Sequence, residues 1–210
     1  MELSLRSRLR AGDETALGEL FDDQAQALYR YAVRALGDWT AAEDVVSLTF
    51  LEAWRLRGKL RAEGEGLRPW LFGIAANVLR NTRRAARRHQ AALARMPGGE
   101  MVPDFADEVV GRLDDSAQLA AAQRALEKLR RADREVFMLC VWVGLDYAGA
   151  AEALGVPVGT VRSRLSRART RLRALADAEL ARTHTEPLGG SGQVQIDRVD
   201  AVRSIQGKKR

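Results

Sequence analysis

The stretch from residue 145 to residue 173 reads LDYAGAAEALGVPVGTVRSRLSRARTRLR and contains two short helical patterns with a tight break between them. In the second pattern, apolar residues recur at steps of four and three, which makes one buried stripe on a helix: Val161, Leu165, Ala168, Leu172 and Leu175. Gly155 ends the first pattern, where a left-handed cap costs least in a glycine. This spacing predicts a helix-turn-helix.

The opposite face of the second helix is polar and rich in arginine: Arg162, Ser163, Ser166, Arg167 and Thr170. Guanidinium groups pair in a bidentate manner with phosphate and with guanine. A narrow apolar seam backed by arginines suits a helix that enters a DNA major groove. The stretch therefore predicts an element that reads duplex DNA.

The composition favours a polyanionic partner and offers little for catalysis. The formal net charge is +6 and the isoelectric point is about 10.1. One cysteine and two histidines cannot assemble a zinc site of the usual kind, and there is no Gly-rich phosphate loop. We therefore expect no cofactor, no metal and no enzymatic activity.

The chain also lacks the patterns of export or membrane insertion. Its N-terminal stretch MELSLRSRLRAGDE becomes charged before an apolar core can form, and the apolar run from Val136 to Leu145 is too short to span a bilayer. The single cysteine, Cys140, excludes a disulfide within the monomer, which fits a reducing compartment. We expect a cytoplasmic protein without membrane insertion.

Residues 13–90 read as helical almost throughout. Asp13 is a candidate cap for a first helix, Thr40 with Glu43 has the spacing of a capping box for a second, and Pro69 is suited to the start of a third. The third helix carries a polar row at steps of four and three, Asn77, Asn81 and Arg84.

Toward its C-terminal end the third helix becomes strongly basic, with five arginines within nine residues: Arg80, Arg83, Arg84, Arg87 and Arg88. Cations in a last helical turn are favoured by the helix dipole, so a solvated helix end is one interpretation. Five arginines exceed that need, which favours nucleic-acid contact.

The remaining segments differ in character. Residues 91–116 contain Gly, Pro and six acidic residues, a composition typical of a linker that either stays extended away from DNA or occupies a basic channel of a partner. Residues 117–182 form the second domain, and residues 183–210 form a C-terminal tail, either disordered or a short docking helix. The prediction is an all-α chain of two small helical domains (13–90 and 117–182) joined by a flexible acidic linker, the second a winged-helix-like helix-turn-helix domain.

Four segments together resemble the bacterial RNA polymerase sigma factors of the extracytoplasmic-function group, in the sigma-70 family. They are AAEDVVSLTFLEAW (41–54), RPWLFGIAANVLRN (68–81), DREVFMLCVWVGLDY (133–147) and GVPVGTVRSRLSRARTRL (155–172). The resemblance implies a sigma factor that binds core RNA polymerase through its β′ clamp and β flap, directs it to specific promoters and helps to melt them. It also implies regulation by an anti-sigma factor.

The same resemblance implies roles for individual residues. Polymerase would be bound by Asp44, Ser47, Phe50 and Trp54. The minus-10 element would be opened by Asn77, Arg80, Asn81 and Arg84, with the loop 57–66 holding a flipped-out base. The minus-35 element would be read as duplex by Arg162, Ser163, Arg164, Ser166 and Arg167. The acidic linker would thread toward the polymerase active site and RNA exit channel.

The chain departs from the family pattern at two places. Ser47 stands where the family often has glutamine, and Gly149-Ala150 stands where a glutamate-isoleucine pair is common. Glycine inside a helix costs about 0.5–1 kcal/mol, so the first helix of the helix-turn-helix is expected to pack loosely.

A second hypothesis is a stand-alone helix-turn-helix transcriptional regulator with a helical sensor domain. It leaves unexplained the aromatic core, the asparagines and the basic end of the first domain. Promoter-dependent transcription with core polymerase distinguishes the two, because a regulator gives none without another sigma factor.

Overall fold

The computed structural model describes residues 4–63, 66–93, 95 and 124–185. The helices are α1 (Leu5–Ala11), α2 (Glu14–Leu36), α3 (Trp39–Leu56), α4 (Arg68–Leu93), α5 (Arg131–Phe137), α6 (Tyr147–Leu154) and α7 (Val158–Thr185). A 3-10 turn, Arg57–Lys59, follows α3, a π-helical segment, Met138–Trp142, continues α5, and residues 124–127 are helical. The described residues contain no strand, so the all-α prediction is confirmed, and this part of the second domain has no β wing.

Helices α2, α3 and α4 build the core of the first domain. The side chain of Asp13 accepts a hydrogen bond from the Thr15 amide and caps α2, as predicted. Leu20, Leu28, Val45, Leu71 and Phe72 are fully or almost fully buried. The ring of Tyr31 meets that of Phe72 edge to face at 5.5 Å between centroids. Burial of this kind stabilises by about 1.5–3 kcal/mol for each large side chain.

The predicted cap of the second helix was wrong by two residues. Asp38, not Thr40, caps α3, since its carboxylate accepts from the Ala41 amide at 2.9 Å. Helix α2 ends at Gly37, and the chain then becomes extended at Asp38, with φ −124° and ψ 119°. An N-cap residue needs that extended backbone and a short side-chain acceptor, which Asp38 supplies first. Thr40 lies inside the first turn.

The helix-turn-helix consists of α6, a turn at Gly155 and α7. Gly155 has a left-handed backbone (φ 63°), and the amide of Val156 donates to the carbonyl of Ala151 at 3.1 Å. These bonds satisfy carbonyls at the end of α6, as the sequence predicts. Val161, Leu165 and Ala168 on α7 are buried, so the predicted stripe faces the core.

The helical segment that begins with α5 does not remain α-helical along its whole length. After α5 the chain adopts π-helical hydrogen bonding over Met138–Trp142, and the Val143 amide donates to the Met138 carbonyl at 3.1 Å. A π-helical segment contains an extra residue per turn relative to an α-helix. It buries Met138 and Leu139 on one side.

Residues Met1–Leu175 form one compact unit, so the described parts of the two predicted domains are in contact. Helix α4 packs directly on α6. A Cβ atom added at Gly73 would lie 2.6 Å from the backbone oxygen of Ala153, and one added at Gly149 would lie 3.2 Å from Pro69 Cγ. Ala150 is fully buried, so the loose packing expected for α6 is not observed. The Gly149-Ala150 departure instead allows close approach to α4.

Polar contacts accompany this packing. A terminal guanidinium nitrogen of Arg68 donates to the Val143 carbonyl at 2.7 Å, and Arg80 pairs with Glu135, with Nε 3.2 Å from Oε1. The acidic linker lies almost entirely outside the described residues, apart from the end of α4 at 91–93 and position 95. The tail beyond residue 185 also lies outside them.

We predict that Gly73→Ala separates α4 from α6. The added methyl meets a backbone oxygen that cannot move aside, and such overpacking costs about 1–3 kcal/mol. The radius of gyration from small-angle X-ray scattering should increase. Gly18→Ala is the matched control, because Gly18 is also helical and a Cβ there meets nothing within 4 Å. The control should remain compact and gain roughly 0.5–1 kcal/mol from alanine's helix propensity. A Gly73→Ala protein as compact and as stable as the control would contradict the prediction.

Candidate nucleic-acid interface

The N-terminal part of α7 exposes most of the residues predicted to read duplex DNA. Arg162, Ser163, Ser166 and Arg167 are exposed, whereas Arg164 is half-buried. The guanidinium carbon of Arg162 lies 5.6 Å from the centre of the Tyr147 ring, within cation–π distance. The structure therefore brings the predicted set together on one helix.

Beside this helix lies a basic depression that the sequence analysis did not include. Tyr147, Arg162, Ser166, Arg169 and Arg173 contribute to its lining. Arg169 and Arg173 follow Arg162 and Ser166 at helical spacing, so the extent of the basic face could have been found by continuing the polar row along α7. Tyr147 comes from α6 and could not be placed there without the fold.

Arg167 has a partner within the protein. One of its terminal nitrogens lies 3.1 Å from Oδ1 of Asp133, whose side chain is 9% exposed, while the Arg167 side chain is 56% exposed. A buried carboxylate without a partner is costly, so the Arg167 guanidinium contributes to the stability of the second domain. The role of Arg167 at DNA remains a prediction, and its pairing with Asp133 competes with that role.

The polar row of α4 is exposed in part. Asn77, Asn81 and Arg84 lie on the open face of the helix. Arg80 instead turns toward the second domain, where Nε and a terminal nitrogen donate to the Glu135 carboxylate at 3.2 and 3.3 Å. Its other terminal nitrogen donates to Asn77 Oδ1 at 3.1 Å. Three of the four predicted minus-10 residues thus share an accessible surface, and the fourth is held in an ion pair.

The loop between α3 and α4 is fixed by an N-terminal residue that the sequence analysis missed. Arg6 on α1 is 6% exposed and donates to the backbone carbonyls of Arg61 at 3.1 Å and Glu63 at 3.4 Å, and also to that of Gly66. Hydrogen bonds from charged donors contribute about 1.5–3 kcal/mol each. The pattern Leu5, Leu9 could have indicated a short amphipathic helix there, but not what its arginine would bind.

Helix α3 places the four predicted polymerase contacts in different surroundings. Asp44 and Ser47 are exposed, but Phe50 is 7% exposed and packs on the ring of Phe21, with centroids 4.8 Å apart. Trp54 is half-buried beneath the guanidinium of Arg57, 4.2 Å from the ring centre. Phe50 therefore belongs to the core.

Two leucines on α3 form an exposed apolar patch that the sequence analysis missed. Leu48 is 49% exposed and Leu51 is 67% exposed. Positions 44, 47, 48 and 51 are spaced by three, four and seven residues, so the side chains of Asp44, Ser47, Leu48 and Leu51 share one side of the helix. We call these four residues the exposed α3 face. Exposed apolar groups rimmed by polar ones are typical of protein-binding surfaces.

The described ranges contain no group of three or more His, Cys, Asp or Glu placed to hold a metal ion. No helix in the same part of the chain is long and apolar enough to cross a membrane. Burial raises the pKa of the Cys140 thiol, which reduces its nucleophilic thiolate fraction.

We predict that Arg167→Gln lowers the free energy of unfolding by about 1–3 kcal/mol, because it leaves the Asp133 carboxylate buried and unpaired. Chemical denaturation of the whole chain measures this change. Arg171→Gln, which removes the same charge from an exposed position of the same helix, should change stability by less than about 0.5 kcal/mol. Adding Asp133→Asn to Arg167→Gln should recover most of the loss. Equal, small effects of the two arginine variants would show that the ion pair is not structural.

Comparison with known proteins gives matches to both halves of the chain. The family model for Sigma-70 region 2 matches residues 20–89, and that for Sigma-70, region 4 matches residues 119–172. The ECF RNA polymerase sigma factor SigL of Mycobacterium tuberculosis is 35% identical over 155 residues, which cover 74% of this chain and 85% of SigL. RNA polymerase sigma factor CnrH of Cupriavidus metallidurans is 32% identical over 185 residues, covering 83% of this chain and 94% of CnrH.

Solved structures show the same relationship. CnrH in complex with the cytosolic domain of CnrY matches with a TM-score of 0.61 and 31% identity, over 83% of this chain and 96% of that one. The sigma factor RpoE in complex with the anti-sigma factor NepR, from Bartonella quintana, matches with a TM-score of 0.54 and 26% identity, over 76% of this chain and 97% of that one.

Proposed function

Because the chain belongs to the extracytoplasmic-function group of sigma-70 family sigma factors, it directs RNA polymerase to specific promoters, and we propose how its surfaces divide that task. The presence of both sigma-70 regions in order does not favour the alternative of a stand-alone regulator. Such a factor acts where the polymerase is, in the cytoplasm, and has no catalysis of its own.

Core polymerase binds the exposed α3 face. Asp44 and Ser47 supply polar contacts, and Leu48 and Leu51 supply apolar area that is still open in this structure. Phe50 and Trp54 support this face indirectly. Their rings pack against Phe21 and Arg57, respectively, and so fix the orientation of the helix. The proposed contacts therefore differ from the predicted set, because Leu48 and Leu51 replace Phe50 and Trp54, but they remain on α3.

The first domain handles melted DNA with the exposed row of α4 and the loop after α3. The amide groups of Asn77 and Asn81 offer donors and acceptors to unpaired bases, and Arg84 offers charge to the phosphates. Arg6 donates to three carbonyls of the loop, those of Arg61, Glu63 and Gly66, and so holds these positions to the first domain. The loop is thereby preorganised to receive a flipped-out base.

The second domain reads the minus-35 element as duplex with the exposed face of α7. Arg162, Ser163, Ser166 and Arg167 are the accessible candidates for base edges, and half-buried Arg164 is the least accessible of the predicted set. Arg169 and Arg173 extend the basic surface and supply phosphate contacts. Arg167 takes part only when it leaves Asp133.

Reading both elements requires the two domains to separate. The minus-10 and minus-35 elements lie about 25 base pairs apart, roughly 85 Å of B-DNA at about 3.4 Å per base pair. Helices α4 and α6 touch in this structure, with Gly73 against Ala153. The thirty residues between positions 93 and 124 can span at most roughly 100 Å. The docked arrangement is therefore an inactive form that opens on polymerase.

An anti-sigma factor is a natural regulator of such a form. The similar sigma factors CnrH and RpoE were solved in complex with CnrY and with the anti-sigma factor NepR, respectively. A partner of this kind would cover the exposed α3 face or hold the domains together. The first action prevents polymerase binding, and the second prevents the two promoter elements from being read together.

Reconstituted transcription tests the function directly. The full chain added to core polymerase should support transcription from promoters recovered by mapping transcription starts after its expression. Asn77→Ala with Asn81→Ala should reduce open-complex formation, measured by permanganate reactivity, about tenfold or more, since two polar contacts are lost at about 0.5–1.5 kcal/mol each. Duplex promoter binding should change much less.

The matched control is Gln90→Ala, which removes an exposed amide from the same helix on the opposite side. Equal losses of melting and of duplex binding in the asparagine variant would show that the melting surface lies elsewhere. No transcription without a second sigma factor would overturn the function itself.

Polymerase binding in the absence of DNA tests the exposed α3 face. Leu51→Glu should weaken the affinity for core polymerase about tenfold or more, because burying a leucine contributes about 1.5–3 kcal/mol and the new carboxylate must also be desolvated. Leu93→Glu changes another exposed leucine, at the end of α4, and should leave the affinity unchanged. Matching losses in the two variants would remove α3 from the interface.

A further inference from the structure

A small cleft between α4 and α5 is lined by five arginines and one carboxylate. Arg80, Arg83 and Arg87 come from α4, Arg131 and Arg134 come from α5, and Glu135 supplies the carboxylate. Because α4 belongs to the first domain and α5 to the second, the cleft exists only while the domains are docked. We call it the arginine cleft.

Hydrogen bonding within the protein does not use all of these guanidinium groups. Arg80 and Arg131 share Glu135, with Nε atoms 3.2 and 3.7 Å from the same carboxylate oxygen. Arg83 donates to the backbone carbonyl of Ala35. The Nε atom of Arg134 is buried and has no hydrogen-bond partner. A buried N–H without an acceptor costs about as much as a lost hydrogen bond.

The electrostatics of the cleft favour a further anion. Burial lowers the pKa of Arg134, and the charges of Arg87 and Arg131 lower it further, while Glu127 and Glu135 oppose them. Burial and the charge of Arg134 likewise lower the pKa of Arg83. Arginine stays protonated at neutral pH even so. The five arginines are opposed by Glu135 in the cleft and by Glu127 outside its lining, which leaves an excess of three positive charges.

The size of the cleft limits what can enter. Its volume is about 30 Å³. A water needs about 10–15 Å³ on this scale, so the cleft has room for about two waters or, in their place, one small oxyanion. A nucleic-acid strand does not fit, and the exposed row Asn77, Asn81 and Arg84 lies on a different face of α4. Planar guanidinium forks match the oxygens of a phosphate group.

We propose that the arginine cleft binds the phosphate group of a small phosphorylated ligand, held jointly by the two domains. Arg134 Nε donates to one phosphate oxygen, and Arg87 and Arg131, which line the solvent side, close around the rest. A ligand that needs both domains binds only the docked form and therefore shifts the population toward it. Such a ligand opposes the opening that promoter binding requires.

Thermal unfolding of the full chain with inorganic pyrophosphate tests the site without polymerase or DNA, so its outcome is independent of the transcription assay. At about five times its dissociation constant, pyrophosphate should raise the melting temperature by roughly 2–4 °C over sodium chloride of equal ionic strength. Arg134→Gln and Arg87→Gln should each lose at least half of this increase. Arg88→Gln removes an exposed charge next to Arg87, outside the cleft, and should retain it.

Each other outcome decides against the site. Equal stabilisation of all three variants would mean general charge screening. Stabilisation by a single-stranded oligonucleotide but not by pyrophosphate would make these arginines promoter contacts.

If Arg134→Gln does not fold, Arg87→Gln carries the test, because Arg87 is exposed. Scattering gives a second readout, since pyrophosphate should lower the radius of gyration of the native chain and not that of Arg87→Gln.

Discussion

The described structure depends on the close approach of α4 to α6 at Gly73, where the backbone of one helix meets the backbone of the other. A side chain at this position would occupy the space of the Ala153 carbonyl. Helix α6 has only eight residues, which is too short to be stable by itself, and the small residues Gly149 and Ala150 let it use α4 as a supporting surface. The core of the helix-turn-helix is thus continuous with that of the first domain. Opening exposes this apolar surface, so polymerase binding has to supply the free energy that docking contributes.

Helix α5 adds a second constraint, because its carboxylates occupy arginines that are predicted to meet DNA. Asp133 holds Arg167 within the second domain, and Glu135 holds Arg80 across the interface. A carboxylate offers a guanidinium the same planar pair of acceptors that a phosphate does. If these arginines meet DNA as predicted, the acidic groups of α5 compete with the promoter for both side chains. The net contribution of each arginine to DNA affinity would be the free energy of its pairing with phosphate minus that of its pairing with the carboxylate.

Most features encoded within a few residues of sequence were predictable, apart from the cap of α3, and features that join distant segments were not. Gly155 and the stripe through Val161 and Leu165 define the helix-turn-helix locally, and the structure has it there. On α3, apolar residues occupy most of the circumference, so periodicity could not tell that Phe50 is buried while Leu51 is exposed. The docking of α4 on α6 joins positions about eighty residues apart, and no local pattern carries that information. The residue-level roles at polymerase and DNA remain predictions for the same reason, since they depend on molecules outside the chain.

Helix α1 extends the first domain to the N-terminal side of its predicted boundary. The match to region 2 starts at residue 20, and the sequence pattern suggested residue 13, yet the groups that satisfy the carbonyls of Arg61, Glu63 and Gly66 belong to Arg6. A chain that starts at residue 13 would keep α2, α3 and α4 whole, and one that starts at residue 20 would also lose the start of α2. Both would lack Arg6 and its hydrogen bonds to the loop. Since the loop is proposed to receive a flipped-out base, we expect such a chain to select its minus-10 bases poorly. A base preference measured with such a truncated chain would then be attributed to the promoter, although it would reflect the absence of Arg6.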